Sequence, residues 1–108
     1  METKRLMLSV CKELSRLWKE LERRDRSLAD QGRRAMQSMV LQFAEGLHAH
    51  GRNRTAKLLG ARAEAHEARI CLELASTCGL LGERSVHPST DGLDHIAAIL
   101  WLKVHRPR

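Results

Sequence analysis

Aromatic side chains are scarce in this sequence. Its 108 residues include one Phe, two Trp and no Tyr. Proteins that hold single-stranded nucleic acid without sequence preference stack its bases on several such rings. The composition therefore argues against an extended stacking platform of that kind.

Cysteines are few and form no metal or redox motif. Cys11, Cys71 and Cys78 are an odd number without CxxC spacing, and each lies in an apolar helical pattern, where Cys packs as a small hydrophobe. Cys71 and Cys78 are two helical turns apart, which is too far along one helix for a disulfide. We therefore expect free thiols in a reducing compartment.

Long apolar runs are missing as well. No stretch approaches the length of a membrane-spanning helix, and residues 1–10 contain no apolar core of a signal peptide. The length suits one domain, residues 1–108. We expect a soluble, cytoplasmic protein without a membrane partner.

Positive charge, in contrast, is present in excess. The chain has 19 Lys and Arg against 13 Asp and Glu, a formal net charge of +6. Such an excess favours acidic partners, chiefly nucleic acid, although basic proteins without a nucleic-acid role are common.

Four segments have apolar residues three or four positions apart, the period of an amphipathic helix. The first covers about residues 6–21 and ends in a charged turn, residues 22–26. Ser27 and Asp30 are the expected capping signal of the second helix. Gly32 inside that helix is tolerable where two helices approach closely.

The third helix is expected over about residues 55–78, with Asn53 or Thr55 as its cap and Gly79 closing it. Its apolar residues form two stripes, so this helix should contact more than one neighbour. One stripe is Leu59, Ala63, His66, Ile70, Leu74 and Thr77. The other, small enough for close packing or a subunit contact, is Leu58, Ala61, Ala65, Ala68, Leu72 and Ala75.

The segment "GERSVHPSTDG" is expected to be the longest loop, with Pro88 inside it. The fourth helix should start at Thr90 or Asp91, point Trp101 inward and end at Pro107. Four amphipathic helices joined by short loops predict an all-α fold, an antiparallel up-down-up-down four-helix bundle.

The sequence offers little for catalysis or metal binding. It has no nucleophile elbow, Walker loop or dinucleotide fingerprint. His66 follows Glu64 by two residues, whereas a di-metal bundle uses Glu-x-x-His. His48 and His50 form a close pair without a nearby Cys or carboxylate. We expect no enzyme, no cofactor and no metal, and we keep a metal protein or enzyme that uses these histidines as a third hypothesis.

The segment from His48 to Lys57 carries the residues best suited to a polyanion. Arg52, Arg54 and Lys57 occur there without any acidic residue. Arginines near a helix N-terminus bind phosphate by charge and by hydrogen bonds, without regard to base sequence. The alternative is a solvated loop.

A second basic run consists of Arg23, Arg24 and Arg26. Acidic residues between Glu20 and Asp25 are interleaved with it and are close enough to pair with it. This run is therefore either a second phosphate contact or a solvated turn.

Arg33 and Arg34 are adjacent, so on a helix they point about 100° apart and do not share one role. A half-buried arginine needs a carboxylate partner. We expect one of the two to form a structural ion pair with a carboxylate such as Glu67, and Glu45 lies near the end of the same helix.

Two stretches, "QGRRAMQSMVLQFAEG" and "EARICLELASTCGLLG", resemble a large bacterial family of small four-helix-bundle proteins. Some members are encoded in intervening sequences of large-subunit ribosomal RNA genes, and others are the accessory variability determinant (Avd) proteins of diversity-generating retroelements. The matching positions in the second helix are Gln31, Arg33, Arg34, Ala35, Ser38, Ala44, Glu45 and Gly46. Those at the third helix are Glu67, residues 72–75 and residues 79–81.

The resemblance implies a homopentameric barrel of bundles whose basic surface engages RNA and DNA, together with a reverse transcriptase, so that mutagenic complementary DNA is made. We therefore expect a non-catalytic, Avd-like accessory protein that contacts phosphate through Arg52, Arg54 and Lys57. Preference for RNA or DNA stays open. The alternative is a helical oligomeric scaffold that binds a protein partner, with the charge serving solubility.

Overall fold

The protein folds into four long α-helices, as the apolar spacing predicts. The computed structural model describes residues 2–106, so Met1 and the predicted helix stop at Pro107 lie outside the described residues. The helices are α1 (Glu2–Glu22), α2 (Arg26–Leu47), α3 (Gly51–Thr77) and α4 (Glu83–His105). None of the four helices over residues 2–106 has the uninterrupted apolar stretch that a membrane-spanning segment requires.

Short loops connect the helices, and each helix packs on the next one in the chain. Because α1 also packs on α4, the four helices enclose one core. The resulting antiparallel bundle measures 44 × 22 × 21 Å. The predicted four-helix bundle is thereby confirmed.

The contact between α1 and α2 is built on Trp18, whose side chain is fully buried. A Cβ atom added at Gly32 would lie 2.5 Å from the Trp18 ring, so only glycine fits there. Glycine costs about 1 kcal/mol relative to Ala inside a helix, and here it permits the two helices to approach closely. The predicted role of Gly32 is confirmed.

Gly32→Ala should therefore destabilise the protein, although Ala is the better helix former. Because the Trp18 ring is rigid and enclosed, the added methyl group overpacks the core, and we expect the free energy of unfolding to fall by about 1–3 kcal/mol. Urea denaturation followed by circular dichroism measures this change. Gly60→Ala is the matched control, since its Cβ meets only the flexible end of the Gln42 side chain. This control should be at least as stable as the wild type; equal stability for Gly32→Ala would contradict the packing argument.

α2 begins before its predicted cap. Asp25 has an extended backbone, and its Oδ1 accepts a hydrogen bond of 3.0 Å from the backbone N–H of Leu28. Asp25 therefore caps the helix, and the prediction of Ser27 with Asp30 was wrong. Asp is as good an N-cap as Ser, and here it is the residue that follows directly after the turn.

α3 also begins earlier than predicted. Its first residue is Gly51, and His50 occupies the N-cap position without a capping hydrogen bond from its side chain. Neither Asn53 nor Thr55 is the cap, because both already lie within the helix. The polar segment is helical since it continues directly into the packed part of α3, where Leu58 is fully buried.

α3 ends as predicted, on a left-handed glycine. Gly79 has a φ of +75°, and its N–H donates to the carbonyl of Ser76 at 3.1 Å. The N–H of Leu80 donates to the carbonyl of Ala75 at 2.8 Å. These two bonds close the last turn of the helix.

The predicted loop around Pro88 is helical instead. α4 starts at Glu83, and Pro88 lies within its second turn. Proline removes one backbone hydrogen bond there. The helix persists because Val86 and Thr90 are buried and continue the inward stripe of Leu93.

Trp101 does not point inward as predicted. Its side chain is 44% exposed, whereas Ile96 and Leu100 are fully buried. The inward face of α4 is already filled by these two residues, so the indole lies on the outer surface.

The two stripes of α3 have different environments. The stripe that begins at Leu58 is buried inside the bundle. The other, here called the outer stripe (Leu59, Ala63, His66, Ile70, Leu74 and Thr77), is exposed. Its large members Leu59, Ile70 and Leu74 are 37%, 58% and 51% exposed. The large apolar residues of the outer stripe are therefore only partly covered by the bundle itself.

All three cysteines are free, as expected. Cys78 is exposed, Cys11 is half-buried and Cys71 is buried. Burial raises the pKa of the Cys11 and Cys71 thiols above the ordinary value, and the nearby Glu67 carboxylate adds to the rise at Cys71. Both thiols are therefore suited to a packing role.

Candidate nucleic-acid interface

The antiparallel packing brings together basic residues that are far apart in the sequence. The start of α1, the turn between α2 and α3, and the end of α4 all lie at one end of the bundle. This end, here called the basic end, carries Lys4, Arg5, Arg52, Arg54, Lys57, Lys103 and Arg106. Glu2 and Glu45 are the two acidic residues within the same segments, 2–8, 43–58 and 99–106.

The opposite end of the bundle is close to neutral. Its segments, residues 16–33 and 71–90, carry seven Lys and Arg and six Asp and Glu. The excess of positive charge is therefore concentrated at the basic end, which has seven basic and two acidic residues. A polyanion approaching the protein is attracted to that end first.

Arg52 and Arg54 lie in the first turn of α3. Arg52 is exposed and Arg54 is half-buried, and neither forms an ion pair with any residue in 2–106. The first turn of α3 holds no acidic residue and has no side-chain cap. The positive end of the helix dipole and its backbone N–H groups add to the field of the two guanidinium groups.

Lys57 is less available than the two arginines. Its Nζ lies 2.9 Å from Oε1 of Glu45, which joins the end of α2 to the second turn of α3. The structural partner of Glu45 is thus Lys57 rather than Arg33 or Arg34. The Glu45 carboxylate offsets the positive charge of Lys57 locally, so Lys57 adds less to the field of the basic end than the two arginines do.

Of the two adjacent arginines, Arg33 is the partly buried one, as expected for one of the pair. Its partners are Glu22, which bonds its Nη2, and Asp30, whose Oδ1 lies 3.3 Å from Nη1. The prediction that Glu67 pairs with Arg33 was wrong. Glu67 is exposed on α3, whereas the Arg33 side chain faces Glu22 at the end of α1. Arg34 is exposed and forms no ion pair within the described part of the chain.

The structure separates the two predicted basic runs. Arg23, Arg24 and Arg26 are exposed at the opposite end of the 44 Å bundle from Arg52. Arg24 donates to the carbonyl of Gly79 at 3.4 Å, which ties the two loops of that end together. Within one protomer, these residues do not form a common surface with the basic end.

Four residues of the basic end were missed by sequence reasoning. Lys4 and Arg5 lie at the start of the chain, and Lys103 and Arg106 lie near its end. Combining the predicted up-down topology with the charge pattern would have placed them beside the turn between α2 and α3.

The histidines do not assemble a metal site. His48 and His50 are exposed at the basic end, and His66 is exposed on the outer stripe. Over residues 2–106, no group of three or more His, Cys, Asp or Glu side chains is arranged to hold a metal ion.

Comparison with known proteins agrees with this architecture. The fold is similar to that of a protein with unknown function from the S23 ribosomal protein family of Bacteroides thetaiotaomicron VPI-5482, with a TM-score of 0.87 and 21% sequence identity over 95% of this chain and 98% of that chain. No curated protein matches the sequence. Residues 1–101 match the model of the family described as 23S rRNA-intervening sequence protein. Because that match includes nearly the whole chain, the protein belongs to the 23S rRNA-intervening sequence protein family.

Proposed function

We propose that this protein is a non-catalytic, Avd-like accessory protein that binds nucleic acid in the cytoplasm and assists a reverse transcriptase during complementary DNA synthesis of a diversity-generating retroelement. It acts as a homopentamer, and it contacts RNA or DNA through phosphate rather than through base sequence. It needs no cofactor or metal for this role.

The observation that carries the proposal is the concentration of positive charge at the basic end. Seven Lys and Arg gather there against two carboxylates, and Arg52 and Arg54 stand at an uncapped helix N-terminus. Such a surface neutralises phosphates and releases their counterions. Membership of a family named for intervening sequences of 23S rRNA supports a partner that contains RNA.

The Avd-like role is supported by the resemblance in α2 and at the end of α3. The paired arginines Arg33 and Arg34 and the closing Ala-Glu-Gly of α2 match that pattern. Arg33 and Glu45 serve ion pairs within the bundle, so these matched positions support the shared fold. The role beside a reverse transcriptase is drawn from the same resemblance.

A salt series tests nucleic-acid binding directly. Nuclease-treated protein is titrated into a labelled structured RNA and a labelled DNA of equal length, and fluorescence anisotropy is measured at several salt concentrations. We expect the logarithm of the association constant to fall linearly with the logarithm of the salt concentration, with a slope no steeper than about −6 per protomer if all seven cations contact duplex DNA. No binding to either probe at low salt would reject the proposal.

Self-association is supported by the outer stripe of α3, whereas the number of five copies is drawn from the resemblance. Ile70 and Leu74 are more than half exposed, and Leu59, about three turns earlier on the same helix face, is 37% exposed. Exposed apolar residues on one face are typical of an interaction surface. A chain of 108 residues gains stability by burying such a face against another copy.

The same stripe favours the second candidate function, an oligomeric scaffold that binds a protein partner without a nucleic-acid role. This candidate predicts no salt-dependent affinity for RNA or DNA, so the anisotropy series separates the two.

A further inference from the structure

The two tryptophans of the protein occupy opposite environments. Trp18 is fully buried beneath Gly32, whereas 44% of the Trp101 side chain is exposed on α4. Burying an indole stabilises a fold, and exposing nearly half of one forgoes part of that gain. The core therefore does not account for a tryptophan at position 101.

The exposed indole is held in place by two neighbours. The guanidinium carbon of Arg62 lies 4.9 Å from the centroid of the Trp101 ring. The imidazole of His105 stacks on the indole, with ring centroids 3.6 Å apart and an angle of 28° between the planes. Arg62, Trp101 and His105 together are called the aromatic cluster below.

Backbone contacts fix both neighbours of the indole. Arg62 Nε donates to the carbonyl of Ala97 at 3.3 Å, which anchors the guanidinium group of α3 against α4. Nδ1 of His105 lies 3.0 Å from the carbonyl of Trp101, one turn earlier in the same helix. A cluster ordered in this way loses little side-chain entropy when a ligand binds.

The aromatic cluster lies beside the basic end. Lys103 lies in the last turn of α4 and Arg106 is the C-cap residue that follows His105, and residues 95–106 include no acidic residue. A strand whose phosphates lie on these cations is therefore within reach of the cluster. Aromatic rings and arginine planes are the groups on which proteins stack unpaired bases.

We propose that the aromatic cluster is a stacking site for an unpaired nucleobase of a strand whose phosphates are bound by the basic end. This inference rests on the proposed nucleic-acid function and adds a ligand class to it, namely single-stranded RNA or DNA. The site recognises a flat base and is indifferent to its identity, because every base has a π-face.

Two oligonucleotide probes distinguish the contribution of the bases to the affinity from that of the phosphates. Each is about 12 nucleotides long, within the range of site sizes known for single-strand binding. One is oligo(dT), and the other is an oligonucleotide of the same length whose residues are all abasic. The wild type should bind oligo(dT) more tightly than the abasic strand. Trp101→Ala should weaken binding to oligo(dT) by roughly 5- to 140-fold, the range for one lost stacked base, and leave binding to the abasic strand unchanged.

Two control variants distinguish stacking from a general surface effect. Trp101→Phe keeps an aromatic ring and should restore most of the affinity for oligo(dT). Leu102→Ala removes the neighbouring side chain, which is 52% exposed, and should bind both probes as the wild type does. Quenching of tryptophan emission by oligo(dT) should disappear in Trp101→Phe, since the remaining Trp18 is buried.

The outcomes separate this inference from the function on which it rests. If the wild type binds neither of these single strands, the stacking inference is overturned, and the proposed function is decided separately by the structured RNA and the DNA of the salt series. If the wild type binds both probes equally and Trp101→Ala changes neither affinity, the stacking site is rejected and the phosphate contact stands. A change of molecular mass in Trp101→Ala, measured by light scattering, would assign Trp101 to a subunit contact and would also overturn the inference.

Discussion

The double substitution Arg52→Glu with Arg54→Glu should abolish nucleic-acid binding and leave the bundle folded. It lowers the formal charge of the basic end from +5 to +1. Each lost phosphate contact should also reduce the slope of the salt dependence by about one. At about 0.1 M salt, where surface charges are screened beyond about 10 Å, we expect affinity to fall by roughly a hundredfold or more. Fluorescence anisotropy measures both quantities.

The fold should survive this change because of where the residues lie. Both are in the first turn of α3, which has no acidic residue, and a carboxylate there interacts favourably with the helix dipole by about 0.3–1 kcal/mol. Circular dichroism should therefore show an unfolding transition no lower than that of the wild type. A loss of binding that accompanies unfolding would leave the role of the two arginines unsupported.

The control carries the same charge change at the other end of the bundle. Arg26→Glu with Arg84→Glu replaces two exposed arginines in the first turns of α2 and α4. We expect its affinity to stay within about threefold of the wild type, since exposed charges far from the ligand are screened. An equal loss in both double variants would mean that overall charge, and not the basic end, determines binding. It would also support the prediction from the sequence that the run containing Arg26 contacts phosphate.

The double substitution Ile70→Asp with Leu74→Asp should convert the proposed pentamer to monomers. These side chains are 58% and 51% exposed in the single bundle, so charges there are harmless to the monomer fold. In an assembly that buries the outer stripe, each unpaired carboxylate would lose its hydration, which costs several kcal/mol. Size-exclusion chromatography with light scattering measures the mass.

Leu8→Asp with Leu41→Asp is the matched control for this second prediction. Leu8 of α1 is 49% exposed and Leu41 of α2 is 62% exposed, so the two substitutions also add two charges at exposed leucines. This variant should keep the mass of the wild type. A monomeric wild type would reject the pentamer, and an unchanged mass for Ile70→Asp with Leu74→Asp would place the subunit contact elsewhere.

The fold was predictable because its main signals are local. Apolar residues three or four positions apart predict the buried face of each helix. The glycine after α3 predicts where that helix ends. Gly32 was correctly assigned to a close helix contact, although its partner Trp18 followed only from the three-dimensional packing. The start of α4 was mispredicted because Pro88 is a local signal for a loop, whereas the burial of Val86 that overrides it is a tertiary effect.

The candidate site was only partly predictable. Arg52 and Arg54 were found from their charge and from the absence of acidic neighbours, and both do lie at a helix N-terminus. The partner of Arg33 was missed, since Glu22 lies on another helix and the ranking of possible carboxylates depends on helix rotation. Trp101 was assigned to the core because its spacing fits the inward stripe of α4. Spacing alone does not show that Ile96 and Leu100 already occupy the buried face and leave Trp101 at its edge.

The placement of the basic end has a geometric consequence for a ring of bundles. Cyclic symmetry relates the protomers by rotation alone, so in a pentamer whose bundles run along the symmetry axis all five copies would present this end to the same side of the ring. Their cations would form a single annulus, and the assembly would have one attractive face and one nearly neutral face. A strand held by one protomer would meet the next at high effective concentration, so weak contacts would add up to avid binding. Such a ring would orient the bound nucleic acid. The strand would lie across the face that carries the basic ends, and the opposite face would stay available to a protein.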